Sequence, residues 1–157
     1  GHCIAVDPWC IVSQNPESAR LIRTAREIND TKPHWVMDKI KLAVAECLNQ
    51  NGKKAQEVTI ACFGLAFKPD IDDLRESPAL SIAKSVATWH NGTTLVVEPN
   101  TETLPAKLDE LAQLVSIEDA LKRADILVML VDHTPFKAIA SEDIKQQWVV
   151  DTKGVWR

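Results

Sequence analysis

The chain has 157 residues, of which 45% are hydrophobic and 25% are charged, as is typical of a globular protein with one domain or one domain and an extension. Its formal net charge of -4 gives no electrostatic reason to expect nucleic acid or an anionic membrane as a partner. The strongest apolar run, residues 126–131, is far shorter than the roughly 20 residues that span a bilayer. We therefore predict a cytoplasmic protein that binds neither nucleic acid nor a membrane.

The amino terminus and the cysteines narrow the class further. The first residues have neither the basic region nor the apolar stretch of a secretory signal, and we expect the chain to be a fragment of a longer protein. The cysteines form no Cys-x-x-Cys pair and have no histidine at metal-ligand spacing, so we predict reduced thiols and no metal site. The four cysteines are Cys3, Cys10, Cys47 and Cys62. Cys47 and Cys62 lie in apolar patterns and are predicted to be buried.

Residues 15–53 carry a helical pattern. Asn15, followed by proline and glutamate, is predicted to be the N-cap of a helix. Apolar residues recur every three or four positions in residues 21–28 and again in residues 36–48, which gives each segment one apolar stripe. Pro33 lies between the stripes and predicts either one bent helix or two helices in tandem. The region then serves as a connector between domains, as a dimer surface, or as a helix pair folded onto the core.

From residue 54 onward the pattern changes to alternating strands and helices. The predicted strands are residues 58–67, 94–97, a short strand around 114, 126–131 and 148–151. The predicted helices are residues 78–90 after a cap at Ser77, 106–111, a helix from a cap at Ser116 to Ala124, and a short helix that begins at Thr134. This alternation predicts an α/β fold, a Rossmann-like parallel sheet with helices on both faces that follows the helical region.

Ligands of such sheets bind beyond the carboxyl ends of the strands, near the point where the strand order reverses. The first strand is followed by Gly64 alone, whereas a dinucleotide fingerprint needs three glycines in this turn. The turn therefore does not predict an NAD site of its own. It carries Phe67 and Lys68 instead, and a lysine at a strand end can meet a phosphate as a point charge. The alternative is that Lys68 is a solvated surface residue.

The next loop, residues 70–76, is densely charged. It lacks the glycine and the terminal glutamate of a calcium loop, so its aspartates do not predict a metal site. Arg75 is either paired with a neighbouring aspartate or held out towards an anionic ligand or another domain. His133 follows the most apolar strand, where it is either a ligand contact or a loop histidine without a role.

Cys3 and Asp7 form a candidate pair near the amino terminus. A thiol becomes nucleophilic when its thiolate is favoured, and a neighbouring carboxylate alone disfavours the thiolate. Asp7 is therefore expected to order a water molecule or a partner rather than to activate Cys3 directly. The residues by themselves leave a catalytic thiol and an inert thiol as alternatives.

Two motifs resemble the UDP-glucose/GDP-mannose dehydrogenase family. Residues 1–8, GHCIAVDP, resemble its catalytic-cysteine segment. Residues 64–69, GLAFKP, and residues 73–78, DLRESP, resemble the signature that opens its nucleotide-binding carboxy-terminal domain. The motifs occur in the family's order, and the resemblance covers essentially the whole chain. It implies a catalytic-cysteine segment in residues 1–14, a helical connector and dimer region in residues 15–53, and a Rossmann-like UDP-sugar-binding domain in residues 54–157.

The resemblance also implies a reaction, in which the C6 alcohol of a nucleotide sugar is oxidised in two steps with two molecules of NAD. Cys3 would capture the intermediate aldehyde as a thiohemiacetal, which becomes a thioester that water hydrolyses. Asp7 would be the supporting carboxylate that positions the water. Phe67 and Lys68 would contact the nucleotide of the substrate, and Arg75 would reach towards NAD.

The implied partners are a UDP-sugar substrate, an amino-terminal domain of the same protein that binds most of NAD, and a second copy in a homodimer. The chain alone is expected to be inactive. Val6 stands where UDP-glucose dehydrogenases commonly have lysine, which indicates the N-acetylmannosamine branch of the family. Lys153 stands in a stretch where relatives often have arginine, so a nucleotide role is not assigned to it. The competing hypothesis is a free-standing nucleotide-sugar-binding or dimerisation module.

Overall fold

The structure is a computed structural model that describes residues 3–156, and Gly1, His2 and Arg157 lie outside the described residues. The seven α-helices of the described part are α1 (Cys3–Gln14), α2 (Arg20–Asp30), α3 (Lys32–Asn51), α4 (Pro78–Trp89), α5 (Ala106–Asp109), α6 (Ile117–Arg123) and α7 (Thr134–Lys137). The five strands of the same part are β1 (Thr59–Phe63), β2 (Thr93–Val97), β3 (Gln113–Leu114), β4 (Ile126–Met129) and β5 (Trp148–Asp151). Two short 3₁₀ helices, Ala55–Glu57 and Ser141–Ile144, complete the regular structure. None of the helices in residues 3–156 is long and apolar enough to cross a membrane.

The strands form one parallel sheet in the order β3-β2-β1-β4-β5, which confirms the predicted fold class. The chain moves outward from β1 through β2 to β3 and then returns to the other side of β1 with β4. The strand order therefore reverses between β1 and β4, and the loops that follow these two strands border the crevice where ligands of such sheets bind.

Helices cover the sheet on both faces because the central strands are apolar on both sides. Alternate β1 residues face opposite layers, so Cys62 packs beneath α3 and α4 while Phe63 packs with α6 and α7. The first strand is fully buried apart from its first residue. Burial raises the pKa of the Cys62 thiol to about 12. Burial also raises the pKa of Cys47, so both thiols are buried as predicted and stay protonated at neutral pH.

The helical region consists of two tandem helices, one of the two predicted alternatives. α2 ends just before Thr31, and Pro33 lies in the first turn of α3, where its missing N–H costs no hydrogen bond. The predicted N-cap at Asn15 is wrong. The Asn15 N–H donates to the Ile11 carbonyl at 3.0 Å and so extends the hydrogen bonding of α1, while the next helix begins at Arg20 without a side-chain cap.

The two tandem helices pack differently. α3 buries Val36, Ile40 and Cys47 against the sheet and forms part of the core. For this helix, the structure agrees with the predicted alternative of helices folded onto the core. α2 has no buried residue, and the side chains of Leu21 and Ile28 on its apolar stripe are exposed. The domain boundary at residue 53 and the dimer surface stay predictions.

Two strands are shorter than predicted. β1 ends at Phe63 and β4 ends at Met129, although burial continues for several residues beyond each strand. The reason is that the N–H groups of Leu130 and Val131 both donate to the Phe63 carbonyl, which ends the regular ladder. The predicted caps are confirmed, because the Ser77 hydroxyl accepts from the Leu80 N–H at 3.3 Å and the hydroxyl of Ser116 accepts in the same way at the start of α6.

Candidate functional site

The β1 loop, residues 64–76, begins with a glycine that no other residue can replace without strain. Gly64 has φ 89°, and a Cβ atom placed on it would lie 2.5 Å from Val131 Cβ and 2.9 Å from the backbone N and O of Val131. The β4 loop, residues 130–133, is therefore in direct contact with the start of the β1 loop. This contact brings together the two loops that border the crevice.

Glu98, the residue after β2, holds the next part of the β1 loop. Its side chain is buried, and Oε2 accepts the backbone N–H groups of Leu65 at 2.7 Å and Ala66 at 3.1 Å. Its other oxygen accepts the Asn100 N–H at 3.1 Å. In dinucleotide-binding folds, the backbone amides of the first turn lie at the phosphates of the ligand. Here the Glu98 carboxylate already accepts hydrogen bonds from two of these amides.

His133 completes the network from the β4 loop. It is fully buried, with Nε2 3.1 Å from Glu98 Oε2. Nδ1 accepts the Asp70 N–H at 2.9 Å and faces the Asn100 side-chain amide at 3.2 Å. Because Nδ1 faces donors, we assign the neutral ring with its proton on Nε2, where it donates to Glu98. The ring thus faces inward and hydrogen-bonds to the β1 loop and to the loop after β2. The predicted alternatives were a ligand contact and a histidine without a role, and neither includes this one.

The ionisation of Glu98 follows from these contacts. Burial alone raises the pKa of Glu98, but the hydrogen bonds from His133, Leu65 and Asn100 outweigh burial and lower the pKa below its ordinary value. Glu98 is therefore a carboxylate at neutral pH. Hydrogen-bond donors oriented towards it stabilise its negative charge. Among residues 3–156, no lysine or arginine forms an ion pair with it.

Asp70 anchors the β1 loop beyond Lys68. Its backbone is in the left-handed region with φ 59°, and its carboxylate accepts the Thr134 N–H and the Thr134 hydroxyl, both at 2.8 Å. These two bonds lower the pKa of Asp70. We call Glu98, His133, Asp70 and Thr134 the loop clamp, because together they tie the β1 loop to the ends of β2 and β4.

The two predicted nucleotide contacts lie between the anchored parts of the loop. Phe67 is half-buried, and its N–H donates to the Asp73 carbonyl at 2.8 Å. Lys68 is exposed and forms no salt bridge with any residue in the range 3–156. The rigid part of the loop is thus its backbone, and the Lys68 ammonium is available to a ligand.

Arg75 is paired with an aspartate and also lies near the amino-terminal segment. Its Nε and Nη2 donate to the two carboxylate oxygens of Asp73, each at 2.9 Å, while its side chain stays 71% exposed. The Asp73 hydrogen bond raises the pKa of Arg75, and Cys3 is near enough that its thiolate form raises the pKa further. The structure therefore brings Arg75 and Cys3 within electrostatic reach of each other.

Cys3 and Asp7 both lie on α1, one turn apart on the same side of the helix, and both are exposed. A cleft of about 660 Å³ separates α1 from the β1 loop and the start of α4. Ile4 and Trp9 of α1 form one wall, and Phe67 lies on the opposite wall. Of the predicted site residues only Phe67 lines this cleft, but Cys3 directly precedes one of its walls.

The cleft also contains charged residues that the sequence did not single out. Arg26, Lys32 and Lys84 contribute positive charge, and Asp30 forms an ion pair with Arg26. The Nε atom of Arg26 is buried and has no hydrogen-bond partner among the described residues. Their positions on three different helices explain why no local motif indicated them. Within residues 3–156, no group of three or more His, Cys, Asp or Glu side chains could hold a metal ion.

Comparison with known proteins gives consistent matches. The model of the UDP-glucose/GDP-mannose dehydrogenase family, UDP binding domain, matches residues 61–157. A UDP-N-acetyl-D-mannosamine dehydrogenase from Salmonella typhi is 68% identical over 100% of this chain and 37% of its own length. An NDP-N-acetyl-D-galactosaminuronic acid dehydrogenase from Ralstonia solanacearum is 52% identical over 99% of this chain and 35% of its own length.

A solved structure of a UDP-N-acetyl-mannosamine dehydrogenase from S. aureus shares the fold. It is 31% identical, with a TM-score of 0.73, over 99% of this chain and 34% of that chain. The chain thus spans about a third of the length of the relatives that it matches.

Proposed function

Because the chain belongs to the UDP-glucose/GDP-mannose dehydrogenase family and matches its UDP binding domain, we propose that it binds the nucleotide of a UDP-sugar at the β1 loop. The whole protein is then a UDP-N-acetyl-D-mannosamine dehydrogenase, the activity named for relatives that are 64–68% identical over the whole chain. The observation that carries the proposal is the cleft between α1 and the β1 loop. Its volume of about 660 Å³ lies within the range of small-molecule sites.

Phe67 and Lys68 are the proposed nucleotide contacts. Phe67 offers an aromatic surface on the cleft wall, and Lys68 offers an ammonium without an internal partner among the described residues. The amides of Leu65 and Ala66 are occupied by Glu98, so the phosphate charge must be met by a side chain. Lys68 provides a positive charge for the phosphate, and the neighbouring Phe67 ring shields this contact from water.

The turn after β1 does not fit NAD. It has one glycine where a dinucleotide turn needs three, and its amides already bind a carboxylate. We therefore assign NAD to the part of the relatives that this chain does not cover, and Arg75 is the residue of this chain proposed to reach it. Two NAD molecules, bound in turn by the whole protein, would each accept one hydride, one in each oxidation.

Cys3 and Asp7 are the proposed catalytic residues. The Cys3 sulfur adds to the carbonyl carbon of the sugar aldehyde, and the carbonyl oxygen takes a proton to give a thiohemiacetal. Loss of a hydride to the second NAD and of the hydroxyl proton would convert the thiohemiacetal into a thioester, and water oriented by Asp7 would then add to the same carbon. The C–S bond then breaks, which releases the carboxylate and regenerates the thiol. The chain alone is proposed to bind UDP without turning over sugar, because it covers 37% of the relatives' length.

The helical region is proposed to form a homodimer in the cytoplasm. Leu21 and Ile28 are 82% and 64% exposed on the same face of α2, which has no buried residue. An apolar stripe on a helix needs a partner to remove it from water. A second copy of the chain would present the same stripe.

Calorimetric titration of the chain with UDP tests the proposed nucleotide site. We expect Lys68→Ala to weaken UDP binding about 10- to 150-fold, which corresponds to the loss of roughly 1.5–3 kcal/mol of charged hydrogen bonding. Lys122→Ala is the matched control, since Lys122 is 72% exposed on α6, away from the β1 loop. Equal UDP affinity in the wild type and Lys68→Ala would remove Lys68 from the site.

A further inference from the structure

The loop clamp anchors the β1 loop on both sides of the two proposed nucleotide contacts, and His133 is the residue common to both anchors. We propose that His133 is a positioning residue for nucleotide binding: its ring fixes the backbone that carries Phe67 and Lys68. The inference rests on the proposed function of Lys68. His133 itself is fully buried and does not touch the ligand.

The anchor after Lys68 is direct. Nδ1 of His133 accepts the N–H of Asp70, which is two residues beyond Lys68. Asp70 keeps φ 59°, a conformation that costs energy for a residue other than glycine, and Thr134 holds its carboxylate through two hydrogen bonds. A strained backbone held by three hydrogen bonds has one defined position.

The anchor before Phe67 is indirect. Nε2 of His133 donates to Glu98, and the same carboxylate oxygen accepts the N–H groups of Leu65 and Ala66. One imidazole therefore reaches the loop on both sides of the Phe67–Lys68 pair. Between the anchors the Lys68 side chain is exposed, so the position of its ammonium relative to a bound phosphate depends on the backbone that carries it.

Preorganisation of this kind raises affinity because less conformational freedom is lost on binding. Without the Asp70 anchor, the backbone that carries Lys68 next to the cleft residue Phe67 can leave this conformation. The affinity for a nucleoside diphosphate then falls, although Phe67 and Lys68, the residues proposed to contact it, are unchanged. The direct anchor is expected to have the larger effect on affinity, since His133 itself bonds the loop there, whereas Glu98 keeps its own bonds to Leu65 and Ala66 when the histidine is lost.

Two substitutions separate the anchors. In His133→Asn, the amide oxygen takes the place of Nδ1 and can accept the Asp70 N–H, while the donor to Glu98 is lost. In His133→Gln, the amide nitrogen takes the place of Nε2 and can donate to Glu98, while the acceptor for Asp70 is lost. Each variant loses one buried hydrogen bond, so each controls for the loss of stability in the other.

Titration of the chain with UDP gives the readout. We expect His133→Gln to weaken UDP binding at least about tenfold and His133→Asn to stay within about threefold of the wild type. Hydrogen exchange at the Asp70 amide is expected to accelerate in His133→Gln and to stay slow in His133→Asn. Thr134→Val, which removes one bond to the Asp70 carboxylate, serves if a histidine variant does not fold and is likewise expected to weaken UDP binding.

The possible outcomes are distinct. Wild-type affinity in His133→Gln, or in Thr134→Val where it is used, overturns the positioning role alone if Lys68→Ala still weakens binding. Equal losses in both histidine variants, or a larger loss in His133→Asn, also overturn it, because affinity would then follow stability or the indirect anchor. No UDP binding by the wild type overturns the proposed function and this inference with it.

Discussion

Gly64→Ala is expected to lower the free energy of unfolding by at least about 3 kcal/mol. The fold requires φ 89° at this position, a left-handed conformation that alanine rarely adopts. The added Cβ would lie 2.5 Å from Val131 Cβ. It would also lie 2.9 Å from the backbone N and O of Val131, which cannot move without disturbing the end of β4. Urea unfolding followed by circular dichroism measures the loss.

Gly52→Ala is the matched control for the backbone strain. Gly52 ends α3 with φ 63°, but a Cβ on it would meet nothing within 4 Å. We expect a loss of only about 1–2 kcal/mol, the cost of the left-handed conformation itself. Similar losses for the two variants would mean that the close approach between the β1 and β4 loops does not exist.

Glu98→Ala is expected to lower the free energy of unfolding by about 3–5 kcal/mol. The substitution leaves the N–H groups of Leu65 and Ala66 without their acceptor and deprives His133 of its partner in a buried site. Glu118→Ala is the control, because Glu118 is 85% exposed and its removal should change stability by no more than about 0.5 kcal/mol. Urea unfolding at neutral pH compares the two, and equal stability would contradict the clamp.

The pH dependence of the Glu98 effect has a definite sign. The pKa of Glu98 is lower in the folded chain than in the unfolded chain, where it is about 4.3. Its ionisation therefore stabilises the fold fully above that unfolded value, and the contribution is lost as the pH falls through the folded pKa. The stability difference between wild type and Glu98→Gln should shrink as the pH falls below about 4.3, the unfolded value. A difference that grows on acidification would contradict the assigned charge.

Local sequence signals predicted most of the α/β domain. The helix that follows Ser77 and the one that follows Ser116 begin where their caps predict, because an N-cap acts within three residues. β5 also has its predicted bounds, because its apolar run is bounded by polar residues, which is another local signal. The error at Asn15 arose because a good capping residue was also the natural continuation of α1.

The site was only partly predictable. The motif around Phe67 and Lys68 lies at the carboxyl end of β1, where the topology rule locates ligands. The loop clamp could not be inferred, because Glu98 and His133 are 35 residues apart and their pairing depends on the register of β2, β1 and β4. The cleft wall on α1 was missed as well, since residues 3–14 were not assigned to a helix.

Amide chemical shifts during a titration of the isotope-labelled chain with UDP test the central claim most directly. We predict that the largest changes fall on residues 65–70 of the β1 loop and on the residues of α1 that line the facing wall of the cleft, which are Ile4, Ala5, Val6 and Trp9. Largest changes at the opposite edge of the sheet, in the shallow depression formed by residues 92–94 and 109–113, would contradict nucleotide binding at the β1 loop.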